Sequence, residues 1–532
     1  MSNYDYVIVG GGSAGCVLAN RLSANPANRV LLLEAGPSDW HPLLHMPAGI
    51  ARLSHNRRLN WSYFTEPEPA LNGRRLWWPR GKTLGGSSSI NAMCYIRGAA
   101  ADYDSWAAAC GDPRWSWEQV LPWFLHSEDN SRGASALHGV GGPLGVSDLR
   151  HHNVLSAALV EAAASAGYGR NDDFNGERQA GFGLYQVTQR RGARCSTAAA
   201  FLKPVRQRAN LQVRTHALVE RVLLDHGRAV GVQLRQRQRA AERIEAGEVI
   251  LAGGAINSPH LLMLSGLGPA DHLREHGIAV LADLPDVGAH LQDHLDVSTL
   301  DRSTQKVSYD HLNELAAGLR WLRHRDGPGS SNIAEAGGFV RSRLADDERC
   351  DLQFHFIPAL LDDHGRHRLP GYGYTMHACY LHPRSRGRLR LKSADPARPI
   401  MIHANYLGDP EGHDLQRMIE AARLSREIFD QPAFAAYRGG PVFPEHALRT
   451  DAEYADFIRR KAETVYHPVG SCRMGKDDRA VVDSELRVRG VQGLRVVDAS
   501  VMPSLPSGNT NAPTIMIAER ASSLLLGARA MA

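Results

Sequence analysis

Residues 6 to 34 constrain this chain more than any other stretch. Tyr6 to Val9 (YVIV) is a short apolar run that ends at glycine, as a buried parallel strand does. Gly10, Gly11, Gly12, Ser13, Ala14 and Gly15 then fit G-x-G-x-x-G. A helix-like stretch, CVLANRLS, leads to a second apolar run, Val30 to Leu33, closed by Glu34. Strand, glycine turn, helix and strand in this register predict a Rossmann-like dinucleotide-binding βαβ unit. Gly10 permits the tight turn, Gly12 lets the backbone approach a pyrophosphate, and Gly15 lets the helix sit close to the strand. The helix N-terminus, with Ser13 and Ala14, offers N–H groups to the phosphates. Glu34, with Ala35 beside it, is placed to accept hydrogen bonds from ribose hydroxyls. A carboxylate there argues against a 2′-phosphate and so against NADP, but it does not separate NAD from FAD.

With 532 residues, the chain is long enough for two domains and ample core. Its net charge of +5 is small for that length, and no run of five basic residues occurs, so a nucleic-acid partner has little support. Seven scattered cysteines, an odd number with no C-x-x-C pair, indicate neither a metal site nor a disulfide framework. A reducing compartment fits that usage. The opening MSNYD has no basic n-region or apolar h-region, so a cytoplasmic location is expected. No stretch reaches the roughly 18 apolar residues of a membrane span.

Residues 80 to 98 (RGKTLGGSSSINAMCYIRG) cannot form a stable helix or strand through Gly81, Gly85, Gly86 and three serines. The composition suits a loop whose backbone comes close to a flat ligand. At this point the chain resembles the glucose-methanol-choline (GMC) oxidoreductases. Four blocks carry the resemblance: the N-terminal glycine fingerprint, GKTLGGSSSIN, GGAINSPHLLMLSGLG (Gly253 to Gly268), and the C-terminal pair YHPVGSCRMG and VVDASVMPSLPSGNTNAPTIMIAE. The resemblance implies FAD as cofactor, with Gly81, Thr83, Gly86, Ser87 and Met93 in the loop that covers it. Asn91 and Ala92 would lie along the isoalloxazine, Val219 near the adenine, and Asp498, Ala499 and Thr514 by the ribityl–phosphate region. Some members attach FAD to a histidine where this chain has Ile90, so non-covalent FAD is implied.

Alcohol oxidation by a flavin needs a base that titrates near neutral pH and reaches the hydroxyl, which is histidine's niche. A second polar group should hold the oxygen as alkoxide character develops. By the family match these are His467 and Asn511. Asn511 precedes Pro513 and a helical stretch, so a helix N-terminus would face the flavin.

The resemblance also implies an α/β (α+β overall) fold in which a Rossmann-like FAD-binding domain (1–155, 193–298, 461–532) interleaves with a substrate domain (156–192, 299–460) built on an antiparallel sheet flanked by helices. In LQFHFIP, Leu352, Phe354 and Phe356 share one strand face and Gln353, His355 and Ile357 the other. His355 and Glu335 match pocket positions of choline-type members, Trp61 and Tyr466 could form part of an aromatic cage, and Val465 falls near the reactive flavin edge. A quaternary ammonium needs an anion with such a cage. However, Ala334 stands where choline-type enzymes carry an aromatic residue. Stretches such as HPLLHMPAGIA and DLQFHFIPALLDDHGRHRLPGYGYTMH look closer to alkanol dehydrogenases. They imply primary aliphatic alcohols as substrates, a quinone-type acceptor and loose attachment to the inner membrane. Choline dehydrogenase, an oxygen-using oxidase and a non-catalytic flavin-binding protein are the alternatives. His311 to Arg325 places Leu312, Leu315, Ala316, Leu319 and Leu322 on one helical face beside arginines, a pattern of core packing or of an interfacial helix. Nothing in the sequence fixes an oligomeric state.

Overall fold

The computed structural model describes residues 4–237, 239–367 and 369–527. Two seven-stranded sheets organise it. In the first, Val30–Leu33 and Glu242–Leu251 flank Tyr4–Val9 in parallel, with Tyr6 opposite Val30 and Val9 opposite Leu251. Leu211–Arg214 extends one edge, Leu494–Val496 pairs with Glu242–Leu251, and Ala217–Asp225 with Arg228–Gln236 forms an antiparallel extension. The all-aliphatic Val30–Leu33 is buried on both faces, as parallel strands are.

The turn behaves as the glycine spacing requires. Gly10 has φ +108°, and a Cβ there would lie 2.4 Å from the Ala252 carbonyl oxygen. A Cβ on Gly15 would lie 1.8 Å from the Gly10 carbonyl oxygen, so helix Ser13–Leu22 rests directly on the turn. The last helix, Asn511–Leu525, packs alongside it. Arg21 clamps the two through paired 2.7 Å bonds to the buried Glu519.

The second sheet is antiparallel throughout, in the order Arg438–Phe443, Leu295–Ser303, Gly373–Tyr380, Leu352–Ile357, Ala336–Val340, Gly181–Leu184. Helix His413–Phe429 covers one face, where Phe356 meets Tyr374, Phe429 and Phe434. Strand alternation turns Gln353, His355 and Ile357 the other way, toward a large cavity. Two strands depart from the expected domain ranges. Leu295–Ser303 begins before residue 299, and Glu463–Thr464 joins this second sheet although the sequence put it with the first.

Helix Glu314–His324 also departs from the core-packing pattern. Its buried residues are Ala317 and Trp321, whereas Leu315, Leu319 and Leu322 are 59–74% exposed. Trp321 donates its indole N–H to the Gly192 carbonyl, and that anchor turns the leucine face outward. All seven cysteines are free and buried. No described helix is long and apolar enough to cross a membrane.

The closest approach in the turn sets a stability prediction. Gly15→Ala should cost about 1–3 kcal/mol, the usual range for forcing extra atoms into a packed site, and should lower the melting temperature by several degrees. An unchanged melting curve would contradict the contact.

Candidate active site

A cavity of about 640 Å³ runs from the glycine turn to the second sheet, within the size range of cofactor and substrate clefts. Gly10, Gly12, Ser13, Ala14, Glu34 and Ala35 line one end, and Val219 lies on its wall. Both Glu34 oxygens are oriented by backbone N–H groups, Gly11 at 2.9 Å and Gly36 at 2.7 Å. Burial pushes this carboxyl up to about 7. Gly81, Gly86, Ser87, Asn91, Ala92 and Met93 line the middle. Gly86 has φ +52°, and a Cβ there would meet the Gly12 Cα at 2.7 Å, so the second glycine loop closes onto the first. The apolar Ile90 also faces the cavity.

Asp498, Ala499, Asn511 and Thr514 complete this half. Asp498 is buried and accepts from the Gly254 and Ser500 N–H groups and from the Ser258 hydroxyl. It therefore holds the Gly254–Leu264 helix N-terminus at the cavity wall, and burial raises its carboxyl. Two expected contacts fall outside the lining. Gly15 supports the turn from behind, and Thr83 bonds to the Pro37 carbonyl at 3.0 Å.

Trp61, His355, Val465, Tyr466 and His467 line the far half. Glu335 does not. Its carboxylate is buried beneath the sheet and is fully used by the Ser331 and Ser156 hydroxyls, the Asn153 N–H and Tyr309. The expected acidic contact to a substrate is thus corrected. Among the described lining residues the carboxylates are Glu34 and Asp498, both at the glycine-turn end.

The sequence paired His467 with Asn511, and here too the structure differs. The side chain that meets His467 is Asn509, its amide nitrogen 3.1 Å from Nε2. Asn511 begins the last helix and accepts from the Ser13 hydroxyl at 2.8 Å, which ties it to the glycine turn. In the N-T-N triplet, the two asparagines on either side of Thr510 face different ends of the cavity. Gln353 donates to Asn509 Oδ1 at 3.0 Å, which fixes the amide with its nitrogen toward His467.

Sequence reasoning missed His294 altogether. Its Nε2 lies 3.0 Å from the Leu381 carbonyl and its Nδ1 lies 3.0 Å from His467 Nδ1. A carbonyl only accepts, so His294 Nε2 carries the proton and its Nδ1 is a lone pair. His467 must then donate from Nδ1, leaving its Nε2 as the basic nitrogen beside Asn509. Asp293, next in the chain, accepts from the His467 N–H at 2.6 Å and from Thr464 and Tyr406, and so holds the loop that presents the imidazole. The only sequence signal was a polar D-H in an apolar run, HLQDHLDV. Arg194 was also missed. It is buried, and it bonds the Asn91 carbonyl at 2.7 Å and side chain at 2.9 Å.

Strain gathers here. Met93, Ile333 and Tyr466 all line the cavity with φ between +61° and +70°, a region that side chains rarely adopt, β-branched ones least. Such residues persist only where the surroundings hold them, as active sites do. Burial, and then the His294, His355 and Arg80 groups, holds His467 well below its ordinary value of 6.5. Burial likewise pushes His294 and His355 down to about 3. These imidazoles are neutral when folded but take protons when unfolded below about pH 6.5. The stability they lend is therefore present above that pH and is lost as pH falls. The basic form of His467 should persist across the neutral range, so the acid limb of kcat/KM should lie below pH 6.5. A limb centred above pH 7 would contradict the neutral pair.

A glycine turn feeding a long cleft, with a buried neutral histidine at its far end, is an arrangement suited to a dinucleotide cofactor at one end and proton transfer at the other. The GMC oxidoreductase family models match residues 4–296 and 383–518, and the chain belongs to this family. It is 51% identical to an alcohol dehydrogenase [acceptor] from Pseudomonas putida over 98% of this chain and 96% of that protein. Identity to the oxygen-dependent choline dehydrogenase of Paraburkholderia xenovorans is 45% over 100% of this chain and 96% of that one. Among solved structures, pyridoxine 4-oxidase from Mesorbium loti superposes with TM-score 0.90 at 35% identity, covering 99% and 100% of the two chains. Formate oxidase from Aspergillus oryzae superposes with TM-score 0.92 at 27% identity over 98% of each.

Proposed function

We propose that this chain is an FAD-dependent dehydrogenase that oxidises primary alcohols to aldehydes. The observation that carries the reading is the chain of bonds from the Leu381 carbonyl through His294 to His467, which leaves His467 Nε2 basic beside the Asn509 amide. Gly12, Ser13 and Ala14 would hold the pyrophosphate, Glu34 the ribose, Val219 the adenine end, and the Gly81–Met93 loop with Asn511 and Thr514 the ring system. Ile90 offers no nucleophile, which fits non-covalent binding. Bound FAD would supply the acceptor for the hydride leaving the carbinol carbon. His467 Nε2 takes the hydroxyl proton, and the Asn509 amide donates to the oxygen as negative charge develops there. His294 Nδ1 accepts from the imidazolium that forms on His467. Residues 1–155, 193–294 and 465–532 carry the cofactor in this reading, and 156–192 with 295–464 form the sheet domain that walls the substrate end.

A choline substrate is disfavoured, because Glu335 is committed to Ser331, Ser156, Asn153 and Tyr309. A quinone is the acceptor we favour. The exposed Leu315, Leu319 and Leu322 face, with Arg323 and His324 on the same helix, fits a peripheral contact with an anionic bilayer. Co-sedimentation with anionic vesicles that is lost in Leu315→Ser/Leu319→Ser would support that contact, and equal recovery would refute it.

His467→Ala should slow anaerobic flavin reduction by 1-hexanol at least ~100-fold while FAD stays bound. Asn509→Ala should also slow reduction, whereas Asn511→Ala should chiefly lower FAD content. Near-normal reduction in the His467 variant would sink the assignment. Hydrogen peroxide under air, in place of quinone-dye reduction, would move the reading to an oxidase.

A further inference from the structure

The second sheet turns an unusually polar face toward the cavity. Register places Ser298, His377 and His355 side by side on three adjacent strands, with Asp296 two residues from Ser298 on the same face. All four side chains are buried and sit mid-sheet, where apolar residues would ordinarily fill the wall. Burying polar groups is costly unless they are hydrogen-bonded, so each nitrogen here needs a partner.

Two of them have none. His377 Nδ1 bonds Asp296 Oδ2 at 2.5 Å and Ser298 Oγ at 2.9 Å, but its Nε2 is buried without a partner. His355 Nε2 receives a hydrogen bond from the Gln353 amide at 3.2 Å, but its Nδ1 is likewise buried and unpartnered. Both residues line the cavity, with 5% and 7% of their surface exposed. The partners that are present fix what each free nitrogen offers. Gln353 donates to His355 Nε2, so the proton of that neutral ring sits on Nδ1, which is a donor. The Asp296 carboxylate accepts from His377 Nδ1, which orients the ring and leaves Nε2 as its free nitrogen.

Two desolvated imidazole nitrogens on adjacent strands suit a hydroxyl group, which can both accept and donate. We propose that His355 and His377, the latter oriented by Asp296, bind a second hydroxyl of the substrate, so that the enzyme acts on primary alcohols bearing a further hydroxyl rather than on plain alkanols. This rests on the alcohol-oxidising reading above and narrows its substrate class. The second site spans His355 and His377 on the next strand, and His355 itself adjoins Gln353, which bonds Asn509. Adjacent strands are about 4.8 Å apart, so the two oxygens of a fitting substrate are separated by roughly three to five carbons. Ile333, Ile357, Leu361 and Val465 line the cavity as well and suit the methylene chain between them.

The test compares two isosteres, 1-hexanol and 1,5-pentanediol, in which a terminal methyl is exchanged for a hydroxyl. Flavin reduction is followed anaerobically in the FAD-loaded enzyme. In the wild type, kcat/KM should favour the diol by at least about tenfold, because the monoalcohol leaves two buried imidazole nitrogens unpaired. In His377→Leu the diol-to-monoalcohol ratio should fall to about one, whatever the absolute rates, and His377→Gln should recover part of it. Binding can be read apart from turnover with tertiary alcohols, which lack the hydrogen to be transferred. Perturbation of the flavin absorbance should saturate at lower concentration with a tertiary diol than with its monohydroxy isostere, and the gap should close in His377→Leu. A wild-type preference for 1-hexanol, or a His377→Leu variant that keeps the wild-type ratio, would overturn the proposal while leaving alcohol oxidation standing. Failure of both alcohols to reduce the flavin would overturn the alcohol reading and this one together.

Discussion

A carbonyl oxygen has lone pairs and no proton, and much of this active site follows from where one is placed. The Leu381 carbonyl at 3.0 Å forces the proton of His294 onto Nε2, and that choice passes through Nδ1 to His467. The base is set by a backbone group two residues away along the bond network rather than by a carboxylate. A buried carboxylate in that place would hold a charged imidazole more firmly. The carbonyl and the neutral His294 leave His467 uncharged until the reaction protonates it. The Asp293 carboxylate is spent on the backbone N–H of His467, where it fixes position without touching the ring.

The glycine turn, the second glycine loop, the buried parallel strands and the alternation of the strand bearing His355 were all legible in the sequence. Each is encoded locally, by glycines where a Cβ would strike backbone or by apolar residues at a two-residue period. The errors share a cause. Asn511 was assigned by the family match, and only the start of the last helix shows that its neighbour Asn509 is the amide that meets His467. Glu335 looked like a binding carboxylate because its buried partners, Asn153, Ser156 and Tyr309, come from segments remote in the chain. His294 carries no motif, and its role comes from pairing across 173 residues. The leucine face of Glu314–His324 was ambiguous for the same reason, because an indole anchored to Gly192 decides which side of that helix turns inward.

The site is also expensive to build. Met93, Ile333 and Tyr466 hold left-handed backbone at the cavity, and Arg194 is buried with its Nε and Nη2 unpartnered. Burial draws that guanidinium down to about 9. Surfaces that serve packing alone avoid such arrangements.

The clamp between Arg21 and Glu519 has a consequence for how the molecule comes together. It joins a helix made within the first two dozen residues to one made after residue 510, and Asn511 docks on Ser13 across the same seam. The glycine turn therefore stays open on one side until the segment after residue 510 docks on it. His467, bonded to Asn509, likewise meets His294, at the foot of strand Leu295–Ser303, across a long stretch of chain. The pocket around the dinucleotide turn is thus complete only when segments from far apart in the sequence meet.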